Sequence, residues 1–400
     1  MRRVVIAGAG AVNPLATDVP GTYAALRAGH CAIGPLEMRD LDRLTVRIGA
    51  QIKGWDPAAH LTRAEVAMMD PFSQYAVVAA RQAVAKAGLA FAGDLAETTG
   101  VIIGSAGGGL TTTDDSYRAV YEAGKDRVHP FVVPRLMLNA AASHVAIRFG
   151  LQGPVFAVSS ACSSSNHAMG QAFQMIRHGQ ARVMLAGGSD AMLCFGGIKA
   201  WEGLRVMSPT GCRPFSAGRD GMVMGEGAAV FVLEERDHAV ARRADILAEV
   251  AGFGMTSDAA DMVQPSAIGA ARAMRLALRD AGMAPSEVGY INAHGTGTAA
   301  NDRAETAAIR QVFGDAPPPV SATKSMHGHL MGGAGAVELL ACLMALRQGI
   351  LAPTIGHVAG DPDCVLDVVP NAARMAQVQA TLSNSFAFGG LNAVLALRAA

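Results

Sequence analysis

Short apolar runs alternate with helix-length patterns along most of the chain. Runs of this length beside glycine and small residues predict buried β-strands, and longer stretches with apolar residues every three or four positions predict helices. In the N-terminal part the predicted strands are residues 4–7, 100–105, 154–158, 182–188 and 228–234, and the clearest helix is 71–87. From about residue 245 the order restarts, with strands at 246–254, 288–293, 320–323, 380–385 and 393–397 and helices at 267–281, 300–313 and 334–348. This order predicts an α/β fold with two halves, residues 1–245 and 246–400, that share a pattern but little sequence.

The composition narrows the class of protein. Hydrophobic residues make up 51% of the chain and aromatic residues 5%, which suits close packing of helices on a sheet. The formal net charge is +0, so the charge does not favour nucleic acid as a partner. No apolar run approaches a membrane span, and residues 1–7 run into glycine rather than forming a signal peptide. Six cysteines without C-x-x-C spacing argue against zinc and a disulfide framework, so we expect a cytoplasmic protein.

Two glycine clusters raise the question of a nucleotide site. Gly8-Ala9-Gly10 lacks the third glycine of a dinucleotide fingerprint, and Pro14 falls where the helix should begin, so we interpret it as a tight turn. Gly107-Gly108-Gly109 follows a predicted strand, but no Lys-Ser or Lys-Thr pair comes after it. A turn beside a bulky group is therefore favoured over a phosphate cradle.

Cys162 is the first candidate for chemistry. It follows the predicted strand 154–158 and precedes a helical pattern over 167–178, so it is expected at a strand-to-helix turn. The unpaired N–H groups and dipole of a helix start favour an anion, and we therefore expect the thiol to ionise readily. A buried structural cysteine is the alternative on this stretch alone.

Two histidines end predicted strands of the second half. His294 follows 288–293, and His329 closes the cluster that begins at Lys324. One such histidine is more often structural than catalytic, but two of them together with Cys162 match the needs of acyl transfer through a thioester. The last turn, residues 383–390, adds backbone N–H groups that can face a thioester oxygen.

The chain resembles the β-ketoacyl-[acyl carrier protein] synthases of types I and II, which are condensing enzymes of the thiolase superfamily. The resemblance extends from Val4 to Leu397. The motifs that carry it are Ser160-Ala161-Cys162-Ser163, Asn292-Ala293-His294-Gly295-Thr296, Lys324-Ser325-Met326-x-Gly328-His329 and Asn384-Ser385-Phe386-x-Phe388-Gly389-Gly390. It implies a five-layer α-β-α-β-α sandwich of two pseudo-symmetric halves, a homodimer and an acyl carrier protein as partner. The implied reaction is the decarboxylative Claisen condensation of malonyl-carrier protein with an enzyme-bound acyl thioester, without a cofactor.

The resemblance also assigns roles to residues. It implies that Cys162 is the nucleophile, that His294 and His329 promote decarboxylation and stabilise the enolate, and that Lys324 and Glu338 support the histidines. The N–H groups of Cys162 and Phe388 would form the oxyanion hole. The implied substrate-binding residues are Gly107, Thr296, Thr298, Phe386 and Phe388. In some members a structural monovalent cation lies at the positions of Asn292, Glu338, Ser383 and Asn384.

Further expectations concern the partner and the acyl chain. Since the carrier protein of this family is acidic, a local basic patch is expected, although each of its cations could equally be a solvated surface charge. The candidates are Arg63, Lys125, Arg127, Lys199 and Arg205. The turn at Gly107 is implied to border the acyl pocket by reaching in from the dimer partner. Some relatives have isoleucine there, so glycine predicts room for long chains.

The chain departs from the family pattern at several positions. His327 stands where threonine is frequent, and the missing partners argue against a His-x-His metal site. In the closing loop, residues 386–391, Ala387 replaces a common glycine and Leu391 a common threonine, which predicts a stiffer loop. His327 and the segment 201–206 point toward specialised ketosynthases, such as nodulation- or polyene-type enzymes.

Three related kinds of protein fit the motifs less well. A thiolase needs a second cysteine in the turn 386–390, which has none. Chalcone-type condensing enzymes have asparagine where His329 stands. A catalytically silent chain-length partner lacks the nucleophile, whereas Cys162 is present.

Overall fold

A computed structural model describes residues 1–400. The strands are β1 (Val4–Val12), β2 (Gly34–Pro35), β3 (Ile48–Gly49), β4 (Gly100–Gly104), β5 (Val155–Val158), β6 (Val183–Asp190), β7 (Gly227–Glu235), β8 (Ala248–Ser257), β9 (Tyr290–Asn292), β10 (Val320–Ser321), β11 (Ile350–Leu351), β12 (Arg374–Met375), β13 (Ala380–Ala387) and β14 (Leu391–Arg398). The helices are α1 (Val19–Ala28), α2 (Arg63–Met68), α3 (Pro71–Ala87), α4 (Asp94–Thr98), α5 (Leu110–Tyr121), α6 (Val132–Leu136), α7 (Ala140–Phe149), α8 (Ser164–Arg177), α9 (Phe195–Gly203), α10 (Arg236–Ala241), α11 (Ala267–Ala281), α12 (Ala299–Phe313), α13 (Lys324–His327) and α14 (Ala334–Gln348). None of these helices has the length and apolar character needed to cross a membrane.

The sheet repeats one topology in the two halves. In the first half, β1 pairs antiparallel with β7 and β7 antiparallel with β6, while β6–β4 and β4–β5 are parallel. In the second half, β8–β14 and β14–β13 are antiparallel, while β13–β9 and β9–β10 are parallel. Both halves therefore have the spatial order first, fifth, fourth, second, third. A short pairing of β1 with β8 joins the two sheets at their edges.

Helices form three layers around the two sheets. The helices α3 and α7 cover the outer face of the first sheet, and α11 covers the outer face of the second. Between the sheets, α8 and α14 contact strands of both halves and each other. The resulting α-β-α-β-α sandwich confirms the expected fold class. The boundary between residues 245 and 246 stays a prediction.

The first glycine cluster is not a turn, and that interpretation was wrong. Gly8 and Gly10 lie inside β1, where α3 packs unusually close to the strand. A Cβ on Gly8 would lie 2.1 Å from the carbonyl oxygen of Ala83, and one on Gly10 would lie 2.0 Å from that of Ala79. These glycines therefore permit close helix-on-sheet packing.

Two further local expectations need correction. No element was predicted between residues 188 and 228, yet this stretch contains α9, whose Ile198 is fully buried. The helix after Cys162 begins at Ser164 rather than at residue 167. Cys162 thus lies two residues before the first helical residue, in the turn that joins β5 to the central helix α8.

Candidate active site

A tight turn presents Cys162 between the two halves. Ala161 adopts φ 50°, in the left-handed region that few non-glycine residues occupy. Ser164 stabilises this turn by donating from Oγ to the carbonyl oxygen of Ala161 at 2.7 Å, and Ser163 donates to that of Leu391 at 2.8 Å. The second contact ties the cysteine turn to the closing loop. Cys162 itself is buried, with 7% of its surface exposed.

The expectation that the Cys162 thiol ionises readily was wrong, because its pKa is shifted in the opposite direction. Burial raises the pKa of the thiol to about 12, because a thiolate would lose its hydration, and the charge of Lys324 opposes this only in part. The helix start therefore does not produce a free thiolate at neutral pH. Cys31 is the exposed thiol of the chain, so a test of Cys162 by alkylation requires Cys31 to be removed first.

His294 and His329 approach Cys162 from the second half. The cysteine Sγ and one ring nitrogen of each histidine lie within 4.8 Å of one another. The two imidazole rings are 5.4 Å apart between centroids and nearly perpendicular, at 83°. His294 follows β9 and His329 follows α13, so loops after neighbouring parallel strands bring them together.

The partners of the two rings fix where their protons lie. The N–H of Met331 donates to Nδ1 of His329 at 3.1 Å, so Nδ1 is an acceptor and the proton belongs on Nε2. The Nζ of Lys324 lies 3.3 Å from Nδ1 of His294, which gives that ring the same tautomer. Nε2 of His329 is buried and has no partner in the chain. The site therefore offers Nε2–H groups beside the thiol.

Both histidines are neutral at physiological pH. Burial and the positive charge of Lys324 hold the pKa of His294 well below its ordinary value, and they do the same for His329. A neutral imidazole with its proton on Nε2 can donate a hydrogen bond to a developing enolate oxygen without first losing a proton.

Lys324 is the centre of a buried charged group. It is fully buried and contacts the carboxylate of Glu338 as an ion pair. Burial raises the pKa of Glu338 to about 7, against the attraction of Lys324.

The sequence motifs missed Glu305, which accepts hydrogen bonds from the N–H groups of His294 and Gly295, each at 2.8 Å. From the sequence, Glu305 could have been found only by its position on the inner face of the predicted helix 300–313.

The Cys-His-His group has donor types that zinc uses, but its surroundings do not fit a metal site. A histidine that binds a metal through Nε2 donates its Nδ1–H to an acceptor. Here Met331 N–H and Lys324 Nζ, both donors, face the two Nδ1 atoms. If both rings bound a metal through Nε2, each Nδ1 would carry a proton and would face another hydrogen-bond donor.

A second group of atoms does fit a bound cation. Four oxygens at the positions implied by the resemblance are buried and have no hydrogen-bond partner in the chain: Asn292 Oδ1, Glu338 Oε2, Ser383 Oγ and Asn384 Oδ1. Oxygen ligands with one carboxylate suit a hard cation. Such an ion would connect β9, α14 and β13 and would take no part in bond making.

A cavity next to Cys162 collects most of the implied substrate-binding residues. Thr296, Thr298, Phe386 and Phe388 line it, and the two threonine hydroxyls are 2.8 Å apart. Gly107 does not line it within one chain. A Cβ on Gly107 would lie 2.7 Å from Sδ of Met192, which agrees with a turn beside a bulky group. The N–H groups of Cys162 and Phe388 have no acceptor in the chain.

The proposed docking cations lie in three places. Arg63 begins α2, and Lys125 and Arg127 line a surface hollow. Lys199 and Arg205 flank Trp201, which lines the cavity. Lys199 pairs with Glu202 at 2.8 Å, whereas the other four cations form no ion pair.

His327 is a structural residue. It is fully buried and uses both ring nitrogens, at 2.8 Å from the carbonyl oxygen of Gly328 and 3.0 Å from the hydroxyl of Thr323. Its ring contributes no atom to the cavity.

Two models of known protein families match this chain. The family described as Beta-ketoacyl synthase, N-terminal domain, matches residues 1–239, and Beta-ketoacyl synthase, C-terminal domain, matches residues 247–357. The chain belongs to the β-ketoacyl synthase family. It is a condensing enzyme of the acyltransferase type, as the motifs around Cys162, His294 and His329 predicted.

Relatives of known name agree with this family. The chain is 49% identical to Nodulation protein E of Rhizobium sp. (strain N33), over 99% of each chain. It is 39% identical to 3-oxoacyl-[acyl-carrier-protein] synthase 2 of Staphylococcus aureus (strain N315), over 99% of this chain and 98% of the relative.

Solved structures give the same fold. The ishigamide ketosynthase/chain length factor has a TM-score of 0.96 at 38% identity and matches 100% of this chain and 99% of its own. A type II PKS acyl-carrier protein in complex with its ketosynthase bound to the hexaketide has a TM-score of 0.91 at 31% identity, covering 100% of both chains.

Proposed function

We propose that this β-ketoacyl synthase loads an acyl chain onto Cys162 and extends it by two carbons with malonyl-carrier protein. The observation that carries the assignment of roles is the approach of the Cys162 thiol and the His294 and His329 rings to within 4.8 Å. A nucleophile and two neutral N–H donors at that separation can serve an acyl thioester and an incoming enolate in one cavity.

In the first step, the sulfur of Cys162 attacks the thioester carbonyl of the acyl-carrier protein. The new C–S bond forms, the old one breaks, and the proton of the cysteine passes to the departing carrier thiolate. Since burial raises the pKa of Cys162, the proton leaves during the transfer rather than beforehand. The free N–H groups of Cys162 and Phe388 are available to stabilise the charge on the carbonyl oxygen.

In the second step, malonyl-carrier protein loses CO₂. The electron pair of the broken C–C bond becomes an enolate, whose oxygen can accept hydrogen bonds from Nε2–H of His294 and His329. The enolate carbon then attacks the acyl carbonyl on Cys162. The C–S bond breaks, the cysteine thiolate takes up one proton from solvent, and a β-ketoacyl-carrier protein leaves.

The proposed function also includes a carrier protein as the partner and a reducing compartment. A structural neighbour is a ketosynthase in complex with an acyl-carrier protein, which supports a carrier protein as the partner here. The unpaired cations Arg63, Lys125, Arg127 and Arg205 are suited to an acidic surface. Six free thiols favour a reducing compartment such as the cytoplasm.

A second copy of the chain is proposed to cover the edge strand β5. The contacting elements α5, α6, α7 and β5 expose large apolar side chains, which soluble monomers rarely gather on one side. They include Tyr121 at 80%, Val133 at 62%, Ile147 at 76% and Phe156 at 38% exposure. Light scattering should give twice the 41.1 kDa chain mass for the wild type and a smaller mass for Phe156→Asp. A monomeric wild type would contradict the homodimer.

The test of the reaction is the Cys162→Ala variant. It should form no β-ketoacyl product from acyl- and malonyl-carrier protein, but it should still release CO₂ from malonyl-carrier protein because both histidines remain. Intact-mass analysis of the carrier protein follows both outcomes. Product formation at near wild-type rate would overturn the assignment of the nucleophile.

A further inference from the structure

Trp201 stacks on Phe388 at the wall of the cavity. The ring centroids are 5.8 Å apart and the planes differ by 23°, and both side chains line the same space as Cys162. Both rings are partly exposed. Aromatic pairs in this geometry attract each other beyond the simple burial of their area. The stack therefore connects α9 of the first half with the closing loop of the second.

Of the two rings, Trp201 is the fixed one. The side chain of Glu202, next in sequence, accepts from the N–H groups of Thr45 at 2.6 Å and Val46 at 2.9 Å. At the other end of α9, the ring of Phe195 lies under the guanidinium groups of Arg43 at 4.5 Å and Arg118 at 4.8 Å. Both ends of the helix are thus held by contacts from other segments.

Phe388 is on the side that can move. It lies between the end of β13 and the start of β14, and it is followed by Gly389 at φ 80° and Gly390 at φ 66°. Glycine adopts these values without strain, so these two residues permit rotation of the loop. The turn is held by backbone bonds, from Gly389 to Met262 at 2.8 Å and from Asp258 to Gly390 at 2.9 Å. Phe388 itself makes no backbone bond as a donor.

We propose that Trp201 is a positioning residue that holds Phe388 in the closed position over Cys162. Access for a bulky acyl group requires the two rings to separate, and the stack sets how often that happens. This inference rests on the role proposed for Cys162 and Phe388 and adds a residue that none of the four family motifs contains.

Alkylation of Cys162 by two reagents of different size tests the proposal. The enzyme carries Cys31→Ser, which removes the exposed thiol. Iodoacetamide is the small probe and N-phenylmaleimide the bulky one, and mass spectrometry follows the peptide that contains Cys162. The measured quantity is the ratio of the bulky to the small rate constant. Any change in thiol ionisation affects both reagents and cancels in this ratio.

Three variants separate stacking from volume. Trp201→Leu and Trp201→Ala lose the stack and should raise the ratio about two- to tenfold, the range expected for one aromatic pair. Trp201→Phe keeps an aromatic ring and should stay near the wild-type ratio. If leucine and alanine leave the ratio unchanged, Trp201 does not hold Phe388. If phenylalanine behaves as leucine does, stacking is not the cause.

The outcome is independent of the condensation reaction. Alkylation requires only the thiol, so the ratio can change as proposed in an enzyme that makes no β-ketoacyl product. The assignment of Cys162 as the nucleophile is decided by product formation in Cys162→Ala, whereas the role of Trp201 is decided by the alkylation ratio. A second measurement is the acylation of Cys162 by long and short acyl-carrier proteins, where the leucine variant should change KM more for the long chain.

Discussion

Lys324 contacts His294 at two points. Its Nζ donates to the main-chain carbonyl oxygen of His294 at 2.5 Å and lies 3.3 Å from Nδ1 of the ring. One buried ammonium group therefore holds both the backbone and the tautomer of the same residue. Because Glu338 binds the same ammonium, the carboxylate acts on the imidazole only through the lysine.

The Lys324→Met variant should lose decarboxylation of malonyl-carrier protein by about a hundredfold or more, because His294 is no longer held as an Nε2–H donor. It should also lose about 3–5 kcal/mol of stability, since Glu338 is left buried without its partner. CO₂ release and urea denaturation measure the two effects.

The double variant Lys324→Met/Glu338→Gln separates these effects. Removing the unpaired carboxylate should restore most of the stability and none of the decarboxylation. Recovery of activity together with stability would show that Lys324 serves only the fold.

His327 should make stability depend on pH. Burial lowers its pKa from 6.5 to about 3, with Lys324 adding to the shift. Below pH 6.5 the unfolded chain binds a proton that the folded chain refuses, so this contribution to stability is lost as pH falls. Lys324 and His329 are the titratable groups that face it.

Because other buried groups titrate as well, the comparison is with His327→Gln. Between pH 7 and pH 5, the wild type should lose about 2 kcal/mol of unfolding free energy relative to the variant. Urea denaturation at the two values measures it, and a difference independent of pH would contradict a neutral His327.

Gly107→Ile should lower the ratio of kcat/KM for long over short acyl-carrier proteins by about tenfold or more. The added side chain meets Met192, whose Sδ lies 2.7 Å from the position of a Cβ, so overpacking should also cost about 1–3 kcal/mol. The matched control is Gly107→Ile/Met192→Ala, which gives the isoleucine room and should recover much of both. A constant ratio in the single variant would show that Gly107 does not set the pocket depth.

Reversal of charge at Arg127 and Arg205 should raise the KM for carrier protein about tenfold at low salt and much less at high salt. Both side chains are exposed and neither forms an intramolecular ion pair, so the reversal breaks no ion pair of the fold. The control is Arg279→Glu, an exposed cation on the outer helix α11. An equal effect of the control would mean that net charge, and not a docking site, governs KM.

Three helices with a clear apolar period were predicted to the residue. The bounds of α3, α11 and α14 agree with the ranges 71–87, 267–281 and 334–348. In contrast, α9 lies in a stretch rich in glycine and proline and is held by distant residues such as Thr45 and Arg43. Contacts with distant segments leave no mark in local sequence.

The site residues followed from motifs, but their electrostatics did not. The turn at Cys162 was expected, whereas the direction of its pKa shift was not, because burial depends on both halves at once. Gly8 and Gly10 were misinterpreted for a similar reason. Only the approach of α3 shows why a side chain is excluded there.

The repeated strand order determines where each half contributes groups to the cavity. Cys162 follows the third strand of the first half, and Lys324 and His329 follow the third strand of the second. Trp201 and Phe388 likewise both lie between the fourth and fifth strands of their halves. Cys162 and the segment from Lys324 to His329 thus follow equivalent strands, and the two stacked rings lie in equivalent connections, whereas His294 follows the second strand of its half. A repeated framework therefore supplies unlike groups from matching positions, a thiol opposite an ammonium and one aromatic ring opposite another, so the two halves are not chemically interchangeable.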